Sequence, residues 1–313
     1  MRMIMEKMRG RDFLSVNDFN KEELRELLQE AVRLKRELKE GKEHHLLRGR
    51  SLGMIFQKPS TRTRVSFEVA MWQLGGQALF LSAQDLQIGR GEPVRDTART
   101  LSRYLDGLMI RTFAHGEAEE LAAFASVPVI NGLTDLLHPC QAMADLLTIM
   151  EHYGRLEGLQ LAYVGDGNNV AQALMLAATK LGLHVAVATP PGYEPRPEIV
   201  DAARINAVRE GVSLLVTNDP TLAVLGSQVV YTDVWASMGQ EAESLARAGV
   251  FQPYQLNSNL LAQAASEALV LHCLPAHRGE EITEEVLEGP QSAVFEQAEN
   301  RLHVQKAILA KLL

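Results

Sequence analysis

The stretch LGMIFQKPSTRTRVSFEVAMWQLGG, residues 52–76, decides the fold. It opens as an apolar run from Leu52 to Phe56, breaks at Lys58-Pro59 and then takes on a helical pattern that stops at Gly75-Gly76. Val65, Val69 and Trp72 fall on one helical face, which predicts that this face packs inward. Between strand and helix lie Ser60, Thr61, Arg62, Thr63 and Arg64. A helix N-terminus presents unpaired backbone N–H groups and the positive end of a dipole, so it favours an anion. Arginine adds fixed charge in a planar fork suited to phosphate or carboxylate. Hydroxyls and guanidinium groups gathered on one turn therefore point to an oxyanion site.

Outward from that turn, strand and helix alternate. Apolar β-runs are read at 52–56, 78–82, 108–113 and 127–131, with helices near 63–74, 93–105 and 117–125. A helix at 18–40, capped by Asp18, precedes them, and Leu24, Leu27, Leu28, Val32 and Leu34 form its stripe. The loop after it carries His44 and His45, both read as solvated. A long helical pattern at 139–153 leads to a second series, with strands at 161–165, 185–189, 213–217, 229–233 and 268–273. Helices are read near 169–181, 198–210, 241–248 and 257–266, and the last, 292–313, is amphipathic. The alternation predicts α/β architecture: two doubly wound domains, each a parallel sheet flanked by helices. The two halves join through the helix at 139–153. The first 17 residues are not assigned.

A length of 313 residues fits two domains. With 46% hydrophobic and 22% charged residues the composition is that of a globular chain, and the net charge of −8 argues against a nucleic-acid partner. No apolar run reaches transmembrane length and the N-terminus lacks a signal-peptide core, so no membrane association and a cytoplasmic location are expected. The two cysteines, Cys140 and Cys273, each lie near a histidine, but zinc-type spacing is missing. On a strand, His272 and Cys273 would also point to opposite faces, so no metal is expected.

Ligands of open α/β sheets bind beyond the carboxyl ends of the strands. On that edge fall Ser60 to Arg64, Gln87, Arg111, His138 and Gln141, then Asn168 and Asn169, Asp233 and Cys273. Gly165-Asp166-Gly167-Asn168-Asn169-Val170 follows a strand and opens a helix, as a dinucleotide turn does, but Val170 replaces the third glycine. A nicotinamide-dependent dehydrogenase is thus an alternative, and asparagine amides binding a carboxylate or amine are the other reading.

In combination, STRTR (60–64), HPCQ (138–141), DxxxSMG (233–239) and HCLP (272–275), in that order, resemble the transcarbamylase family, and within it the ornithine-specific members. The likeness runs from Leu52 to Glu299-Asn300-Arg301, and it implies that the C-terminal helix packs back on the first domain, a division of 1–140 plus 292–313 against 141–291, with the active site in the cleft between the two. It implies transfer of the carbamoyl group from carbamoyl phosphate to the δ-amine of L-ornithine, giving citrulline and phosphate, with no cofactor. It implies carbamoyl phosphate binding by Ser60, Thr61, Arg62, Thr63, Arg111, His138, Gln141 and Arg301. Gln87 would come from a neighbouring subunit, which implies a homotrimer or a multiple of one. Ornithine would be held by Asn169, Asp233, Ser237 and Met238. Cys273 and Leu274 would join the carbamoyl phosphate set and face the reacting end of ornithine. The implied catalytic residues are Arg111, His138, Asp233 and Cys273. Cys140 and Cys273 stand against the aspartate-specific relatives, which carry HPTQ and HPLP. Ser237-Met238-Gly239 stands against the putrescine-specific ones, the alternative acceptor class. Gln57 departs from the glutamate that many ornithine enzymes have there, which bears on loop charge and carbamoyl phosphate affinity.

Chemically, an amine must attack a carbonyl that carries phosphate as its leaving group. The amine has to be neutral, although a free alkylamine is protonated at neutral pH. Negative charge then develops on the carbonyl oxygen, where Arg111, His138 and Thr63 can donate.

Overall fold

The computed structural model describes residues 8–236 and 244–313. Two compact units form, one from the chain up to Ala144 together with Asn300–Leu313, the other from Asp145–Glu299. The divisions fall inside the helices Pro139–Tyr153 and Val294–Leu312.

In the first unit four parallel strands, β1 (Ser51–Phe56), β2 (Gln77–Ser82), β3 (Gly107–Arg111) and β4 (Val129–Leu133), take the order β2-β1-β3-β4. β1 is buried almost throughout, so it reads as a continuous apolar run, as expected for a strand covered on both faces. The chain leaves β1 for β2 on one side and later returns to β3 on the other. The order thus reverses between β1 and β3, and Phe56 pairs with Arg111 at that reversal. Ile55, Leu108, Ile110, Leu121 and Val129 share one core cluster there.

Three local expectations are corrected. The helix Thr61–Gln73 buries Thr63, Phe67, Ala70 and Met71, whereas Val65 and Trp72 are 51% and 76% exposed. Helix Lys21–Lys39 starts at Asn20, not Asp18: the Asn20 side chain accepts from Glu23 N–H, and Glu23 answers to the Asn20 N–H in a capping box. His44 is buried rather than solvated, its ring between Glu37 (3.0 Å) and Lys306 (3.3 Å). Burial pulls the Lys306 ammonium down to about 8. Lys306 also donates to Gln73 at 2.9 Å and Lys35 to Asn300 at 2.8 Å, so the end of the last helix is tied into this unit.

The second unit holds β5 (Gln160–Val164), β6 (His184–Ala188), β7 (Leu214–Thr217), β8 (Val229–Thr232) and β9 (Leu269–His272), all parallel, in the order β7-β6-β5-β8-β9. Its reversal lies between β5 and β8, around a core that includes Val164, Val230, Leu256, Val270 and Ile282. The expected strand to 273 ends at His272, and the expected helix at 257–266 is the single turn Ser258–Leu261. No helix among the described residues is long and apolar enough to cross a membrane.

Candidate active site

In the first unit, Ser60 is extended at the N-cap of helix Thr61–Gln73 and accepts from Thr63 N–H at 3.2 Å. Thr63 is buried, and its hydroxyl receives two guanidinium groups: Arg111 Nη1 at 3.5 Å and Arg301 Nη2 at 3.2 Å. Arg301 also donates to Gln141 Oε1 at 2.7 Å. Thr61 and Arg62 are exposed at the same helix start. Arg64 turns away: it donates to Glu68 at 3.0 Å and lies 3.8 Å over the Phe80 ring. The two arginines of the motif therefore have different tasks.

His138 is buried beside these cations, and its Nδ1 has no hydrogen-bond partner among the described residues. Burial first, then Arg301 and Arg111, hold its pKa well below the usual imidazole range, so the ring is neutral at neutral pH. Cys140 is a structural thiol: it donates to Asn131 O at 3.5 Å, and burial pushes it up to about 12. Gln87 is exposed at the head of the short 3₁₀ turn Gln87–Arg90, and its side chain bonds to none of these groups within the unit.

In the second unit, Asp233 is buried just beyond β8. One carboxylate oxygen accepts from Asn168 Nδ2 at 2.8 Å, the other from the Cys273 thiol at 3.0 Å. Asn168 also caps helix Asn169–Lys180 by accepting from Val170 and Ala171 N–H, which leaves Asn169 as its first residue. The glycines of this turn serve the chain itself. A Cβ on Gly167 would sit 2.3 Å from Pro195 N, and Gly167 N–H is spent on Tyr193 O at 2.9 Å. The backbone amide that a dinucleotide turn would offer to phosphate is thus already engaged.

Because β9 ends at His272, strand alternation does not extend to Cys273, and ligand-type atoms of Asp233, His272 and Cys273 lie within 4.8 Å of one another. That overturns the opposite-faces argument, but these atoms are already engaged, Asp233 with Cys273 and the His272 ring with Leu274 and Glu281. His272 Nδ1 accepts from Leu274 N–H at 2.9 Å, so the proton sits on Nε2, which faces Glu281 Oε1 at 3.1 Å. Both His272 and Glu281 are fully buried. Glu281 Oε1 accepts from His277 N–H at 2.6 Å as well. Leu274 carries a positive φ of 58°, a strained state for a leucine that this network holds in place. Ser237 and Met238 lie outside the described residues. The helix that follows them, Ser244–Phe251, is anchored by Arg247, which donates to Asp166 at 2.9 Å and to Trp235 O at 2.8 Å. Burial lifts Asp166 to about 6 against the pull of Arg247.

The sequence matches the models of one family over nearly the whole chain. The carbamoyl-P binding domain of the aspartate/ornithine carbamoyltransferases matches residues 11–151, and their Asp/Orn binding domain matches 157–312. The chain belongs to the aspartate/ornithine carbamoyltransferase family. It is 61% identical over 305 residues to an ornithine carbamoyltransferase of Carboxydothermus hydrogenoformans, covering 97% of this chain and 98% of that one. It is 59% identical over 307 residues to that of Anoxybacillus flavithermus, covering 98% of each. Among solved structures, ornithine carbamoyltransferase from Pyrococcus furiosus superposes with a TM-score of 0.95 at 55% identity, covering 97% of both chains.

Several supporting residues carry no local signal in the sequence. Glu281 reads as one acid in the charged run 278–281, yet it is fully buried against His272. Lys58 reads as a turn residue; it is 4% exposed, pairs with Asp135 and lies 4.2 Å over the Phe113 ring. An internal cation next to the STRTR turn was the available clue, and its partner 77 positions on was not.

Proposed function

We infer that the chain is an ornithine carbamoyltransferase, transferring the carbamoyl group of carbamoyl phosphate to the δ-amine of L-ornithine to give L-citrulline and phosphate, a step of arginine biosynthesis. The observation that carries the acceptor's side of this reading is the Asp233–Cys273 pair with Asn168 behind it. The side-chain carboxylate of aspartate would meet the Asp233 carboxylate with repulsion, whereas the δ-amine of ornithine finds an acceptor there.

In the reaction the ornithine nitrogen forms a C–N bond to the carbonyl carbon. The tetrahedral intermediate then breaks its C–O bond to phosphate, and the nitrogen's proton leaves with the phosphate. Ser60, Thr61, Arg62, Thr63 and Arg301 hold the phosphate; Arg111, neutral His138 and Gln141 address the carbonyl end. A neutral imidazole can donate one hydrogen bond to the developing oxyanion without adding a third fixed cation. Asp233 and Cys273 orient the amine, with Asn169, Ser237 and Met238 on the amino-acid end and Leu274 at the reacting carbon. Asp233 by itself favours the ammonium form, so loss of water from the site and the departing phosphate assist deprotonation.

Gln87, exposed and unbonded to the rest, suits donation to a neighbouring subunit's site in a homotrimer or multiple of one. Exposed Val65, Trp72, Leu79 and Phe80, on the helix after β1 and on edge strand β2, supply an apolar surface for that contact. The cytoplasm is the proposed compartment, consistent with two free cysteines.

The test is a colorimetric citrulline assay with ornithine, putrescine, aspartate and acetylornithine compared side by side. Carbamoylation of ornithine well above the other three is expected; a preference for putrescine, or no product, would sink the assignment.

A further inference from the structure

Glu117 lies in the first turn of helix His115–Phe124. One of its oxygens, Oε2, accepts from the Gln57 amide at 2.9 Å and from the Thr112 hydroxyl. Gln57 leads straight into the Lys58-Pro59-Ser60 turn, and Thr112 directly follows Arg111. The Gln57 N–H also donates to Arg111 O at 2.8 Å. A single carboxylate thereby bridges the two loops that flank the β1/β3 reversal.

The same helical turn reaches a third loop. His115 Nδ1 meets the Thr134 hydroxyl at 2.9 Å, and that hydroxyl accepts from Leu137 N–H at 3.2 Å, just ahead of His138. Lys58 closes the circuit through its ion pair with Asp135.

We propose that Glu117 is a positioning residue of the carbamoyl phosphate half-site: bridged to Gln57 and Thr112, it fixes the separation between the Ser60 turn and Arg111. The proposal rests on reading that half-site as the carbamoyl phosphate site. Oxyanion donors act only when held at hydrogen-bond distance from the developing charge, and a shift of about 1 Å costs roughly a hundredfold in rate. The identity of Gln57 follows from the same bridge. Glutamate at 57 would set two carboxylates against each other with no donor between them, forcing one to take a proton or the loops to part. Glutamine supplies the missing N–H.

The test measures both KM values and the melting temperature of the whole enzyme for Gln57→Glu, Glu117→Ala and the exchange Gln57→Glu/Glu117→Gln, with Arg62→Ala as reference. The single changes at 57 and 117 should raise the carbamoyl phosphate KM about three- to tenfold, the scale of one lost hydrogen bond, while the ornithine KM holds within about twofold. The exchange should bring the carbamoyl phosphate KM back to within about twofold of the starting enzyme, since donor and acceptor are again paired. Parallel rises in both KM values with a lowered melting temperature would reduce Glu117 to a fold-stabilising role and overturn the proposal. So would failure of the exchange to rescue, or unchanged carbamoyl phosphate KM in both single variants while Arg62→Ala raises it. If Arg62→Ala also leaves it unchanged, the carbamoyl phosphate reading itself fails and the proposal falls with it.

Discussion

The Cys273 thiol donates to Asp233 Oδ1 at 3.0 Å, while Asn168 holds Oδ2 of the same carboxylate at 2.8 Å. Three loops of the second unit, after β5, β8 and β9, therefore meet on one acidic side chain. The carboxylate is oriented from both sides before any substrate arrives, which is what positioning an amine requires.

Asp233→Asn should therefore lower kcat by roughly a hundredfold, the scale seen when a positioned charged group is removed from a site. Cys273→Ala removes only one neutral donor and should raise the ornithine KM about three- to tenfold, more than it raises the carbamoyl phosphate KM. Steady-state kinetics with each substrate varied in turn separates the two effects. An ornithine KM insensitive to Cys273→Ala would remove Cys273 from the acceptor's side.

His138 gives a pH signature. Burial and the two arginines depress its folded pKa, so in weak acid the unfolded chain binds a proton there that the folded chain does not. Its contribution to stability is complete above the unfolded value of about 6.5 and is lost as pH falls toward the folded value. His138→Gln deletes this linkage. The drop in melting temperature from pH 7.5 to pH 5.5, both about one unit from the unfolded value, should be smaller in the variant than in the starting protein. Equal drops would mean that the imidazole is not held neutral.

The fully buried Glu281 accepts from His272 Nε2 and from His277 N–H. Glu281→Ala strands the buried His272 donor, at a cost of about 1–3 kcal/mol, and takes away the acceptor of His277 N–H. It also frees His272 from the tautomer that holds Leu274 N–H. Urea unfolding should show the loss, with most of it recovered in Glu281→Gln, which keeps an acceptor oxygen. A midpoint unmoved by Glu281→Ala would contradict the buried network.

The nine strands among the described residues were legible in the sequence because each is an apolar run confined by turn residues, and in all but the edge strands β2 and β7 burial on both sheet faces leaves no polar alternation to obscure it. The Ser60 turn was legible for a related reason, since strand, cap and helix are contiguous there. Helix facing was not. Val65, Val69 and Trp72 obey helical spacing as well as Phe67, Ala70, Met71 and Leu74 do, and only tertiary packing selects the second set. Long-range polar pairs such as Lys58–Asp135 and His272–Glu281 leave no periodic trace, because each partner is an ordinary loop or strand-end residue until the fold brings it inside.

The misread face carries the last prediction. Trp72, 76% exposed, lies on the helix that contains the Ser60 turn, and Leu79 and Phe80 lie on the edge strand that follows. A tryptophan left in water at such a position forgoes most of the roughly 1.5–3 kcal/mol that burying a large apolar side chain provides, which a neighbouring subunit would recover. Trp72→Glu places a charge where that contact would close, so sedimentation velocity should show the assembly shifted toward monomer at micromolar concentration. Activity should fall with it, because Gln87 is proposed to act in the neighbour's site and a monomer cannot supply it. Loss of activity without a change in sedimentation would assign Trp72 to something other than assembly. An unchanged assembly with full activity would place the subunit contact elsewhere on the first unit.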